Sequence, residues 1–125
     1  MTTTILVLDD EEKLRDNLAK HLRRMKTIET VFDYATADDL ITELEKLDPF
    51  PDIFILDINM PGKYNGITAL TEIKEKDPSA RVFMFTSSED PTEHDMCRKL
   101  GAEAVIVKPI GRIAMKAALT QMING

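Results

Sequence analysis

The chain has 125 residues, the usual size of one domain, and can enclose a core without disulfides or a structural metal to staple it. With 43% hydrophobic and 30% charged residues, and no low-complexity or disordered segment, it has the composition of an ordinary globular protein. Its net charge of −6 opposes a non-specific grip on nucleic acid, so no direct DNA binding is expected. The single Cys97 cannot close an internal disulfide, and His21 and His94 have no partners at zinc-ligand spacing. The opening MTTTILVL lacks a charged leader and holds only four consecutive apolar residues, too few for a signal peptide or membrane span, so a cytoplasmic protein with no membrane contact is expected.

In chain order, residues 4–8 read as a strand, followed by a helix from about Glu11 to Met25 with Leu14, Leu18, Leu22 and Met25 on one stripe. A mixed strand, TIETVFDYA, precedes a helix from about Ala37 to Leu47, broken at Asp48-Pro49-Phe50-Pro51. The third strand is Ile53 to Leu56. The turn-rich loop MPGKYNG then leads into a helix bearing Ile67, Leu70 and Ile73, which stops near Asp77-Pro78. The strand VFMF follows, then a helix from Pro91 to Leu100 closed by Gly101, the strand AVIV, and a last helix from about Arg112 to Met122. Ile113, Ala117 and Ala118 are placed toward the sheet, leaving Met115, Leu119 and Met122 as additional apolar surface.

Strands that are apolar at every position are buried on both faces, which marks a parallel sheet flanked by helices. The fold class is therefore α/β, a doubly wound parallel sheet. Glu29 and Asp33 make the second strand the least apolar and place it at an edge, which fits the order 2-1-3-4-5. The whole of residues 1–125 reads as a single domain, with no linker, output domain or helix-turn-helix pattern after the last helix.

Four strands end in a residue able to handle a phosphoryl group: Asp9 and Asp10, Asp57, Thr86 and Lys108. Ligands of open α/β sheets bind beyond the carboxyl ends of the strands, so these residues should converge. Each has a plain structural alternative. Acids cap helix starts, an Asp before Pro-Gly starts a turn, a Thr caps a helix, and a strand-end Lys is a solvated cation. No structural need explains all of them in this order. Phosphoryl transfer does, because it asks for positioning and charge neutralisation. Asp57 is then the nucleophile and phosphoacceptor, with Mg²⁺ on Asp10, Asp57 and, through water, Asp9. Lys108 binds a phosphoryl oxygen, and Thr86 donates to another.

The segments LVLDDEEKLR, IFILDINMPG, FMFTSSED and GAEAVIVKPI together resemble the receiver domain of two-component response regulators, over nearly the whole chain. The resemblance implies a flavodoxin-like (βα)₅ fold that takes a phosphoryl group from a histidine kinase, a histidine phosphotransfer protein or a small phosphodonor. The domain is not otherwise an enzyme. It also implies a metal contact from the backbone carbonyl of Asn59, a cis Lys108-Pro109 bond, and a phosphoryl lifetime set by the side chains of Asn59 and Ser88. An unspecified downstream target, or a weak dimer, would use the surface of the fourth helix, fifth strand and fifth helix.

Two departures from the family pattern stand out. Val105 occupies the position of the usual rotating aromatic residue, so the output surface is expected to use a different readout or couple more weakly. The loop MPGKYNG is one residue longer than usual, with Tyr64 expected to face solvent. The rival functions fare worse: a haloacid dehalogenase needs D-x-D where this chain has Asp9-Asp10-Glu11, and DDEE would repel a flavin phosphate. The remaining alternative is a receiver-like interaction module that works without phosphorylation.

Overall fold

A computed structural model describes residues 3–124. Five parallel strands, β1 (Thr3–Leu8), β2 (Ile28–Tyr34), β3 (Ile53–Leu56), β4 (Arg81–Thr86) and β5 (Ala104–Val107), form one sheet in the order β2-β1-β3-β4-β5. They alternate with α1 (Glu12–Arg23), α2 (Ala37–Glu43), α3 (Gly66–Lys76), α4 (Pro91–Lys99) and α5 (Arg112–Asn124). The expected α/β order is present, with β2 at an edge and only partly buried. Among the described residues, no helix is long and apolar enough to cross a membrane.

Side chains alternate across each strand, so the sheet carries two cores. Leu6, Leu8, Phe54, Leu56, Val82 and Met84 pack on one face against Leu40 of α2, Leu70 and Ile73 of α3 and Cys97 of α4. Ile5, Val7, Ile55, Phe83 and Phe85 pack on the other face against Leu18 and Leu22 of α1 and Leu119 and Met122 of α5. Burying each large apolar side chain supplies roughly 1.5–3 kcal/mol, and this two-sided burial is why the strand runs show no polar alternation.

Two helices and one proline bond differ from expectation. The stretch expected as one helix to Leu47 leaves α-geometry after Glu43 and closes as a 3₁₀ turn, Leu44–Lys46, with Leu47 already extended ahead of the prolines at 49 and 51. The cis proline bond is Asp48–Pro49, whereas Lys108–Pro109 adopts trans, the isomer an X-Pro bond ordinarily prefers by roughly 0.5–1 kcal/mol. On α5, Leu119 and Met122 are buried and Met115 packs beside them, whereas Ile113 and Ala117 are exposed. The helix is apolar on most sides, so hydrophobicity left its rotational phase open.

Local chemistry sets the helix entries near the strand ends. Thr36, Asn65 and Asp90 each accept backbone N–H bonds as N-caps of α2, α3 and α4, and Pro91 fills the first turn of α4. Gly101 ends α4 at φ +110°, the left-handed conformation expected for it. Gly66 has a different duty. Its N–H donates to the Ile58 carbonyl at 2.9 Å, and a Cβ there would lie 1.8 Å from the backbone oxygen of Asp57. Only a bare Cα lets α3 start this close to β3.

Gly66→Ala is therefore expected to shift the chain around Asp57 and cost about 2 kcal/mol or more, read as a lower urea midpoint. An unchanged midpoint would show that the close approach is relaxed without cost.

Candidate functional site

The ladder of the sheet continues one step past the strand ends and delivers the site. The Asp9 N–H donates to Tyr34 O at 3.1 Å, the Asp57 N–H to Leu8 O at 2.9 Å, and the Lys108 N–H to Thr86 O at 2.7 Å. Four residues spread over a hundred positions thus sit at neighbouring strand ends because parallel pairing holds their backbones in register. The carboxylates of Asp9, Asp10 and Asp57 bring one oxygen each within 4.8 Å of one another.

Lys108 holds the two buried acids together. Its Nζ lies 2.7 Å from Asp9 Oδ2 and 2.9 Å from Asp57 Oδ2. Asp57 Oδ1 accepts the Ile58 N–H at 2.7 Å, and Asp9 Oδ1 accepts the Glu11 N–H at 2.9 Å. That second bond explains why Glu11, expected inside α1, stays extended with no side-chain cap of its own. The capping account of the acidic run does not hold for Asp9: its oxygen meets the Glu11 N–H two residues on, a turn ahead of the helix, and α1 starts without a side-chain cap.

Asp9 is 1% exposed. Burial pushes its carboxyl pKa up, and the bonds from Lys108 and the Glu11 N–H only partly counter this. Burial also works against the Lys108 ammonium, but its hydrogen bonds to Asp9 and Asp57 prevail and hold its pKa above the usual lysine value. Lys108 is therefore charged at neutral pH. Three carboxylates facing one ammonium leave a surplus of hard oxygen donors. That set suits a small divalent cation such as Mg²⁺, and Asp10, which is exposed, leaves an approach from solvent.

Thr86 is fully buried, and its Oγ1 accepts the Ser88 N–H at 3.1 Å, which leaves its own hydroxyl hydrogen to be donated. Ser88 is not free beside the site: its hydroxyl donates to Glu93 at 2.6 Å, while the His94 ring meets its carbonyl at 2.8 Å. Asn59 exposes its side chain. Val105 is half-buried against the α2–α4 core. Tyr64, expected in solvent, packs on that same core, because Asp38 Oδ1 accepts its N–H at 3.0 Å and Asp38 Oδ2 accepts the Lys63 N–H at 3.2 Å, drawing the loop inward.

Asp38, Arg15 and Glu93 are the supporting residues that sequence reasoning missed. Arg15 Nη1 donates to the Asp9 carbonyl at 2.8 Å, and its Nε lies 3.4 Å from Asp33. Nothing in the sequence separates Asp38 from an ordinary acid in a first helical turn, or Arg15 and Glu93 from exposed helix charges.

The comparisons with known proteins agree with this geometry. A family model described as the response regulator receiver domain matches residues 5–120. The nitrate/nitrite response regulator protein NarL of Escherichia coli K12 is 31% identical over 122 residues, which are 98% of this chain and 55% of that protein. The chain thus spans little more than half of that relative. The chemotaxis protein CheY of Halobacterium salinarum is 28% identical over 128 residues, 99% of each chain. Among solved structures, a chain of the CheX–CheY–BeF3–Mg²⁺ complex from Borrelia burgdorferi superposes with a TM-score of 0.81 at 28% identity, covering 97% of this chain and 86% of that one.

The raised Asp9 pKa has a definite sign for stability. A carboxyl whose pKa is higher folded than unfolded favours folding below its unfolded pKa, and that contribution is lost as pH rises through the folded pKa. In metal-free buffer at pH 7, Asp9→Asn is expected to raise Tm by a few degrees, with the gain shrinking toward pH 4. A lower Tm at pH 7 would show that the ion pair with Lys108 outweighs the burial of Asp9.

Proposed function

The chain belongs to the response regulator receiver domain family of two-component signalling, and on that premise we propose that it accepts a phosphoryl group on Asp57. The observation that carries the reading is Lys108 Nζ bridging Asp9 and Asp57 within 3 Å in a cluster of three carboxylates. An Asp57 oxygen attacks the phosphorus of the donor. An O–P bond forms while the P–N bond of a phosphohistidine, or the P–O bond of an acyl phosphate donor, breaks, and the electron pair leaves with the donor. Lys108 turns its charge from the Asp57 carboxylate to a phosphoryl oxygen, and the Thr86 hydroxyl donates to another.

Asp9, Asp10, Asp57 and the backbone carbonyl of Asn59 would hold a Mg²⁺, whose chemistry is to neutralise charge on the phosphoryl oxygens. Asn59 is small and polar, and Ser88 is turned toward Glu93, so neither shields phosphorus from water and the phosphoryl state is not exceptionally long-lived. The donor is a histidine kinase or a histidine phosphotransfer protein. The output is a contact with a target protein or a weak dimer through α4, β5 and α5, where Met96, Leu100 and Val107 are exposed. We place the protein in the cytoplasm, acting as one receiver unit without direct DNA contact and without turnover of an external substrate beyond its own phosphorylation and dephosphorylation.

Intact mass spectrometry with Mg²⁺ and acetyl phosphate tests this reading. A gain of one phosphoryl group is expected, lost with a chelator and lost in Asp57→Asn, with a decay after donor removal that slows severalfold when Asn59 and Ser88 are made bulky. No gain with either acetyl phosphate or a phosphorylated histidine donor would overturn it in favour of an interaction module that needs no phosphorylation.

A further inference from the structure

The segment between β3 and α3 carries Asn59, whose backbone carbonyl the phosphoacceptor reading gives to the cation, and neither strand nor helix holds residues 59–65 in place. Their base is closed by the Gly66 N–H, which donates to the Ile58 carbonyl at 2.9 Å. Among the described residues, the backbone N–H groups of 59–65 are bonded at only two positions, Lys63 and Tyr64, and both bonds end on Asp38 of α2. One carboxylate uses both its oxygens. Asp38 Oδ2 accepts from Lys63 at 3.2 Å and Oδ1 from Tyr64 at 3.0 Å. Gly62 completes the wrap, because at φ +100° it comes so near that a Cβ would lie 3.1 Å from each Asp38 oxygen. Three consecutive residues thus close on a single anion, as runs of backbone N–H groups do.

Asp38 is itself held firmly. Its neighbours on α2, Ala37 and Leu40, are fully buried, and Thr36 caps the turn by accepting the Asp39 N–H at 3.1 Å. Just before this turn, the Tyr34 carbonyl accepts the Asp9 N–H at 3.1 Å. A short path therefore joins Asp9, through the end of β2 and the first turn of α2, to the loop that follows Asp57.

We propose that Asp38 is a positioning residue for cation binding: by anchoring residues 62–64 it orders the β3–α3 loop in advance, so that the Asn59 carbonyl joins Asp9, Asp10 and Asp57 without a rearrangement of the loop. Without that anchor the loop would be ordered only when the cation binds, and the entropy lost at that moment weakens affinity. The inference rests on the phosphoacceptor reading for the role of Asn59. Asp38 touches neither the cation nor the phosphoryl group and acts through the backbone.

Calorimetric titration of the full chain with MgCl₂ tests this, together with amide hydrogen exchange in metal-free buffer. In Asp38→Ala the Mg²⁺ Kd is expected to rise about fivefold or more, and the Lys63 and Tyr64 amides to exchange faster before any cation is added. Asp38→Asn, whose amide oxygen keeps one acceptor, should fall between Asp38→Ala and the unsubstituted chain. Acetyl phosphate labelling of Asp38→Ala should be slow at limiting Mg²⁺ and recover at saturating Mg²⁺. Asp39→Asn removes a charge from the same turn without touching the loop, and Leu44→Ala loosens the same core. Both should leave the Mg²⁺ Kd unchanged, although Leu44→Ala lowers Tm. An unchanged Kd in Asp38→Ala beside a saturable unsubstituted chain would overturn this proposal alone, whereas no saturable Mg²⁺ binding by the unsubstituted chain would overturn the phosphoacceptor reading with it. Equal weakening by Asp39→Asn would replace positioning with long-range charge, and equal weakening by Leu44→Ala would replace it with general loosening. Labelling that stays slow at saturating Mg²⁺ would also overturn it.

Discussion

Two buried carboxylates at adjacent strand ends repel each other, and the Lys108 ammonium between Asp9 and Asp57 makes their approach tolerable. The rest of the site is arranged around that interaction. Parallel pairing carries each backbone one step beyond its strand, so Lys108 arrives from β5 at the height of Asp57 on β3 and Asp9 on β1. The oxygens not used by Lys108 are met by the N–H groups of Glu11 and Ile58. What stays uncompensated is one more carboxylate, Asp10, which supplies the charge surplus that a divalent cation would satisfy.

The surroundings hold this geometry by close packing and by hydrogen bonds from outside it. Gly66 lets the start of α3 press against the Asp57 carbonyl, and Asp38 on α2 anchors the backbone at Lys63 and Tyr64 in the loop that follows β3. On the other side, Thr86, Ser88, Glu93 and His94 link the end of β4 to α4 by hydrogen bonds. A change at Asp57 that drew Thr86 away from the Ser88 N–H would therefore be felt first in α4. The half-buried Val105 packs on the same core as Cys97 of α4, so it can follow such a shift by repacking even though it has no ring to rotate.

Much of this was legible in the sequence because two signals were unambiguous. Strands apolar at every position announced a parallel sheet, and the polar residues that end them announced the convergence of Asp9, Asp10, Asp57 and Lys108. The remainder depended on information that periodicity does not carry. The phase of α5 was lost because Ile113, Met115, Ala117 and Leu119 are all apolar and only packing chooses among them. Tyr64 was misplaced because its burial depends on Asp38, 26 positions earlier in the chain. The isomer at Pro109 had been expected from the family resemblance and not from this chain's residues.

If Asp9, Asp10 and Asp57, held in register by the sheet, form one cation site at the carboxyl ends of the strands, amide NMR during a MgCl₂ titration will show saturable shifts with a common Kd at Asp10, Ile58 and Asn59, abolished in Asp57→Asn. Shifts that never saturate, or that spread over exposed acids such as Glu72 and Glu75 with none at the strand ends, would contradict such a site.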